Sequence, residues 1–259
     1  MVNIIEIEDL SFNYSNIQIF DKLNLNIPKG SFITILGPNG SGKTTLLKLI
    51  SGQINANTFI MIEDTPIIKE NFKLVENDIS FIEGNSPFFD KRKTVKQYLH
   101  NLNTNKVIIN DIIKRLKLNR ILNKEIYKLT SENKILLQFA KAIVKDPKII
   151  IIDGVLEYLN MSNKKTIIKI LNQLNNKGTT IINATNNQND SIIGTHIAII
   201  AEKNIIYGPT NAILENEDLF QYSNIELPFI VDLSHKLQFY NMIDKTYLDT
   251  EKLVEDLWN

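Results

Sequence analysis

The 259-residue sequence has no cysteine, one tryptophan, ten glycines and no excess of either charge. Without cysteine there is no disulfide, no thiol nucleophile and no cysteine-based metal site, and the chain suits a reducing compartment. The 29 basic and 29 acidic residues cancel to a formal net charge of zero. No basic field therefore marks nucleic acid or an anionic membrane as a partner, and the run Lys91-Arg92-Lys93 is too short to create one. Apolar runs stop well short of the ~18 residues of a membrane span, so no direct span is expected. Residues 2–8 are acidic and strand-like and do not read as a signal peptide. What is abundant is apolar: 43% hydrophobic content is ample for the core of one large α/β domain or two small ones.

Where glycine is scarce, its clustering is informative. Three of the ten fall in Gly37-Pro38-Asn39-Gly40-Ser41-Gly42-Lys43-Thr44, which fits G-x-x-x-x-G-K-[ST]. An apolar run of strand type, Ser31-Phe32-Ile33-Thr34-Ile35-Leu36, precedes it, and Thr45-Leu46-Leu47-Lys48-Leu49-Ile50 follows at helical spacing. Strand, glycine-rich turn and helix form an anion cradle: backbone N–H groups converge, the helix N-terminus adds partial positive charge, Lys43 reaches outer phosphates and Thr44 can ligate Mg²⁺. The candidate nucleotide-binding set is Gly37, Asn39, Gly40, Ser41, Gly42, Lys43, Thr44 and Thr45.

Strands are expected near residues 3–7, 23–27, 31–36, 58–62 and 79–82. Residues 94–145 read as a helical insertion, with Val95 and Leu99 on one face and Ile109, Ile112, Ile113 and Leu116 on another. Lys148-Ile149-Ile150-Ile151-Ile152-Asp153 is then an apolar strand ending in a carboxylate, as a buried parallel strand would. Ile167, Ile170, Leu171 and Leu174 mark a helix face, and residues 179–184 the next strand. Two short amphipathic helices close the chain, one striped by Ile230, Leu233 and Leu237, the other by Leu253, Val254 and Leu257.

Residues 10–45, with Phe12-Asn13-Tyr14 about two dozen positions ahead of the loop, resemble the start of an ATP-binding cassette (ABC) ATPase domain. The element order matches over roughly residues 3–210, and the tail, residues 224–237 and 250–258, resembles the C-terminal extension of energy-coupling factor (ECF) transporter ATPases. The resemblance implies an α/β P-loop NTPase fold with an antiparallel β subdomain and a helical subdomain, residues 1–215 with helices at about 84–146. A helical extension, 216–259, follows and either pairs subunits or packs on the chain's own body. It also implies ATP and Mg²⁺ as ligands, Tyr14 stacking on adenine, and Asp153 joining Thr44 at the metal. The family pattern places Glu83 where a Gln bridges Mg²⁺, water and the transmembrane partner. A carboxylate can ligate the metal there, although an exposed loop residue accounts for Glu83 equally.

Several positions depart from the family. Gly154 stands where a Glu follows the strand Asp as general base, and Asn186 where a His contacts the γ-phosphate. Glu157, three residues further on, reads better as a helix-start or surface carboxylate than as a substitute base. The family signature L-S-G-G-Q appears as Leu129-Thr130-Ser131-Glu132-Asn133; Thr130 suits a helix cap, while Glu132 brings bulk and charge where bare backbone meets the opposite subunit's phosphate.

The resemblance thus implies a subunit that binds Mg-ATP and pairs with a second ABC ATPase at the cytoplasmic face of the cell membrane. A transmembrane T component and a substrate-binding S component complete the importer for vitamins or metal ions. The departures imply that its own hydrolysis is impaired. An active ATPase with an unusual base and a non-transport, nucleotide-gated scaffold remain open. The contact with a membrane subunit is expected within about 84–129, with Phe88-Phe89 its apolar candidate, although a core role suits that pair equally.

Overall fold

The computed structural model describes residues 2–55, 58, 60–68, 71–84, 92–102 and 105–258. Phe88, Phe89 and Lys91 lie outside them. Two long strands open the chain, β1 (Asn3–Tyr14) and β2 (Ile17–Pro28), followed by β3 (Phe32–Leu36), α1 (Lys43–Ile50), β4 (Ile60–Ile62), β5 (Thr65–Pro66), α2 (Phe72–Val75) and β6 (Ile79–Glu83). The helical region contains α3 (Val95–Leu102), α4 (Lys106–Arg115) and α5 (Ser131–Lys145), with short 3₁₀ turns at Leu118–Ile121 and Ile126–Lys128. Next come β7 (Ile149–Asp153), a 3₁₀ turn at Leu156–Tyr158, α6 (Met161–Asn175), β8 (Thr180–Ala184), a 3₁₀ turn at Gln188–Ile193, β9 (His196–Ala201) and β10 (Asn204–Pro209). Four helices end it: α7 (Thr210–Leu214), α8 (Glu217–Tyr222), α9 (Phe229–Phe239) and α10 (Thr250–Leu257).

Two sheets form the frame, a four-stranded antiparallel one in the order β2-β1-β4-β5 and a six-stranded one in the order β10-β9-β3-β8-β7-β6. Within the larger sheet β9, β3, β8, β7 and β6 are parallel, and β10 adds an antiparallel edge. Its central strands bury both faces, which is why β7 reads as a continuous isoleucine run. Ile150 and Ile152 pack toward the helices α3 to α6, whereas Ile149 and Ile151 pack toward α1 and the antiparallel sheet.

The structure enlarges some expected elements and adds others. The expected strands 3–7 and 23–27 are the buried portions of β1 and β2, which run on through a mostly solvent-facing hairpin paired from Asn3↔Pro28 to Tyr14↔Ile17. Periodicity fades there because fewer side chains point to a core. β9, β10, α7 and α8 lie beyond the expected elements. β9, α7 and α8 join Leu36 in a third core built from Ile197, Ile199, Leu214, Phe220 and Val231, whereas Ile205 and Tyr207 of β10 pack against the core shared with the antiparallel sheet.

The C-terminal stripes are only partly buried. Ile230 and Leu253 enter that third core and Leu233 and Leu237 pack at its margin, while Val254 and Leu257 remain 46% and 37% exposed. The extension thus packs on the chain's own body and still presents apolar surface.

Candidate functional site

The glycine-rich motif is the turn from β3 into α1, at the C-terminal edge of the parallel sheet. Gly40 and Gly42 have φ of +82° and +103°, a region costly for other L-residues. A Cβ on Gly42 would also lie 2.7 Å from Ile19 Cγ2 and 2.8 Å from Phe20 Cζ, so packing against β2 and backbone conformation both require glycine. At Gly37 a Cβ would come within 2.9 Å of the Ile200 carbonyl oxygen.

Lys43 arches back over this turn, its Nζ donating to the carbonyls of Gly37 at 2.6 Å and Pro38 at 3.0 Å. Burial pushes its ammonium pKa down, and the nearby Asp153 and Glu157 carboxylates pull it back up. The Ser41 hydroxyl is buried with no hydrogen-bond partner among the described residues. A buried orphan hydroxyl beside a lysine, in a turn of left-handed glycines, fits a phosphate oxygen. Asn39, Gly40, Gly42, Lys43, Thr44 and Thr45 line a cavity of about 220 Å³ with Ile19, Asp153, Gly154, Ala184, Thr185 and Asn186.

Thr44 Oγ1 lies 3.1 Å from Asp153 Oδ1 and donates to it. Burial raises the Asp153 pKa, against the Thr44 hydrogen bond and the fields of Lys48 and Lys43. A hydroxyl and a desolvated carboxylate in contact, beside a phosphate cradle, suit Mg²⁺, whose charge would offset that burial. Glu83 ends β6 and is the register partner of Asp153, so these two acids sit side by side at the end of neighbouring strands. It belongs to a strand and not to a loop. Its backbone is fixed from α5: Gln138 Oε1 accepts from Glu83 N at 3.1 Å, and Gln138 Nε2 donates to Glu83 O at 2.8 Å. Tyr14 stands at the end of β1, 45% exposed, with its ring edge-on to Phe12 at 5.0 Å. It does not line the cavity, which β2 reaches through Ile19.

The family model described as ABC transporter matches residues 20–156, more than half of the chain. The chain belongs to the ABC transporter family. Among curated relatives, the "Energy-coupling factor transporter ATP-binding protein EcfA1" of Fusobacterium nucleatum is 29% identical over 96% of this chain and 97% of its own length. The protein of the same name from Mesomycoplasma hyopneumoniae is also 29% identical, over 98% and 97%. Among solved structures, an ATP-binding subunit of an ABC transporter superposes with a TM-score of 0.75 at 17% identity, covering 91% of this chain and 99% of that one. CbiO1 from Clostridium perfringens, part of the ABC transporter complex cbiONQ, gives 0.71 at 22% over 92% and 100%. These likenesses bear out the α/β fold with its antiparallel sheet.

Two glutamates of this ABC-family chain make contacts that the sequence does not announce. Glu157 is exposed at the surface, yet its carboxylate is not idle: Oε1 accepts from Thr185 Oγ1 and from Asn186 N, each at 2.9 Å. The turn at Leu156–Tyr158, anchored by buried Leu156 and Leu159, aims it at the end of β8. Glu132 does not project freely either. Its Oε1 accepts from Asn160 N at 2.9 Å and Asn163 Nδ2 at 2.8 Å, which folds the side chain onto the start of α6. The Asn160 amide is the main cause of its lowered pKa. Thr130 caps α5 as expected, accepting from Asn133 N at 3.3 Å.

Behind Thr185 lies a network that no motif announces. Asp190, 4% exposed, pairs with Lys164 Nζ at 2.6 Å through Oδ1 and at 2.9 Å through Oδ2. Burial raises the Asp190 pKa, with Lys164 opposing it. These residues meet across β8, α6 and the turn at Gln188–Ile193, from separated positions with no shared spacing.

Proposed function

We propose that the chain is the ATP-binding subunit of an ECF-type importer, holding Mg-ATP at residues 37–45 and closing a dimer with a second ABC ATPase, while hydrolysing little at its own site. The observation that carries this reading is an intact cradle, with Ser41, Lys43, Thr44 and Asp153 in place, beside Gly154 and Asn186 where the family resemblance expects the acid and the histidine. Near full-length similarity to two ECF ATP-binding proteins supports the transporter assignment. Membrane T and S components, the cytoplasmic membrane face and a vitamin or metal-ion cargo belong to the same proposal. No helix among the described residues is long and apolar enough to cross a membrane, so docking falls to such partners.

When bound, Mg²⁺ supplies charge that offsets the phosphates. Lys43 and the loop would orient the phosphates, Thr44 and Asp153 would hold the metal with Glu83 beside Asp153, and the exposed Tyr14 ring, outside the cavity, would stack on the base. Missing from the chain's own residues is a group that takes a proton from water at the Gly154 position. Loss of such a base costs about 10²- to 10⁴-fold and loss of one charge-stabilising donor about 10²- to 10³-fold. From a typical turnover of about 10 s⁻¹, even part of that leaves a site too slow to drive uptake.

The test is recovery of tagged chain from its own membranes in mild detergent, followed by nucleotide binding and phosphate release. Co-recovery of a multispan protein and a second ATPase, with ATP binding lost in Lys43→Ala, supports the proposal. Recovery of the chain alone from the soluble fraction supports the scaffold reading instead. The Glu157 carboxylate at Asn186 favours one further alternative, hydrolysis with Glu157 as base. Steady-state phosphate release by the purified chain that disappears in Glu157→Gln would establish it.

A further inference from the structure

We propose that Glu157 is a specificity-determining residue: its carboxylate acts as an internal anion at the phosphate end of the site, so that a nucleoside diphosphate is accepted readily and a terminal third phosphate must displace it. This deepens the nucleotide-site reading above and rests on it.

Thr185 and Asn186 line the same cavity as the glycine-rich turn, Lys43 and Asp153. The Asn186 N–H and the Thr185 hydroxyl are two donors that could serve an incoming anion. Both are directed to one oxygen of Glu157, at 2.9 Å each. The competing acceptor for the Thr185 proton, Asp190 Oδ2, is 3.5 Å away and already served by Lys164 at 2.9 Å. The hydroxyl oxygen itself accepts from Asn187 N at 3.0 Å, which fixes its proton toward Glu157.

On this proposal a diphosphate engages the turn at 37–45 and does not reach the Thr185 and Asn186 donors. A triphosphate brings additional negative charge toward the end where a carboxylate is docked, and like charges a few ångströms apart in a partly desolvated cleft repel. Two fixed points oppose movement of the whole 154–160 segment: Leu156 and Leu159 are buried, and the Asn160 amide is held by Glu132. Relief therefore comes from the exposed Glu157 side chain swinging outward, which frees the Thr185 and Asn186 donors for the phosphate. The third phosphate thus breaks two hydrogen bonds to enter, and the diphosphate breaks none.

The experiment is calorimetric titration of the purified full chain with Mg-ADP and with a non-hydrolysable Mg-ATP analogue, for wild type, Glu157→Ala and Glu157→Gln. The expected result is a triphosphate affinity in wild type held below that of both Glu157 variants. Glu157→Ala should tighten the triphosphate analogue about tenfold while changing ADP by less than about twofold. Glu157→Gln keeps an acceptor oxygen and loses the charge, so it should give a gain of the same sign and guards against a folding defect in the alanine variant. Parallel changes for both ligands, or an unchanged preference, would overturn the proposal while leaving the nucleotide site intact. Binding of neither ligand by folded wild type would overturn both. Phosphate release that depends on Glu157 would assign the residue to catalysis and overturn this role.

Discussion

Gly154 shows how much a single position decides. Its φ of +63° lies in the left-handed region, although a Cβ there would meet nothing within 4 Å. The position therefore carries neither an acidic side chain nor a backbone conformation that other L-residues readily adopt. Gly154→Glu should destabilise the fold by about 1–2 kcal/mol in a denaturation titration and should not bring phosphate release up to ordinary ABC rates. Recovery of full turnover would show that the backbone adapts freely. For Glu132 the folded-state pKa lies below its ordinary value of 4.5, so its contribution is fully present above that value and lost as pH falls through the lower folded one. The stability difference between wild type and Glu132→Gln should be constant near neutrality and shrink below about pH 4.5. A difference independent of pH would contradict the Asn160 contact. The backbone amide partners of Glu132 and Glu157 were illegible in the sequence, because motif spacing says where a side chain starts and not which distant N–H it meets.

Elements were more legible where one physical cause dominated. The isoleucines of β7 announced a strand buried on both faces, and the Gly37 to Thr44 pattern announced the turn beneath it. Capping was equally local, since Thr130 needs only the amide three residues on; Thr130→Ala should cost about 1 kcal/mol by chemical denaturation. By contrast β9 is illegible because its partner is remote in sequence, β3, with Ile33 opposite His196, and β10 because its hairpin with β9 turns through Glu202 and Lys203 at positive φ with no glycine to mark it. The outer halves of β1 and β2 escaped because their hairpin exposes most of its side chains. Phe220, 1% exposed, ties α8 into the core that β9 builds with α9 and α10. Phe220→Ala should cost about 3–5 kcal/mol and loosen the C-terminal helices first, read as early hydrogen exchange across 210–257. Early exchange in α1 instead would place the third core elsewhere.

At the scale of the molecule, the C-terminal helices seal the flank of the sheet and leave Phe239, Tyr240, Met242 and Trp258 58–85% exposed. Aromatic surface of that kind is the sort that interfaces bury. If the extension joins two ATPase subunits, Phe239→Ala with Trp258→Ala should weaken the complex at least tenfold by sedimentation and leave nucleotide affinity of the single chain unchanged. An equal loss of both would locate the aromatics in the fold rather than at a junction. The sequence showed these helices as amphipathic but not which surface would cover their stripes, because an apolar stripe is satisfied equally by its own chain or another.

The clasp between Gln138 and Glu83 has a consequence for assembly. β6 is an outer strand of the parallel sheet, and its last residue offers one N–H and one C=O to whatever lies outside. The carboxamide of Gln138 answers both, as one rung of an adjoining strand would. The helical region thereby plugs the sheet at the rim beside the cavity. A strand from another subunit would find the outward N–H and C=O of Glu83 already taken, so it could not pair with β6 at that residue.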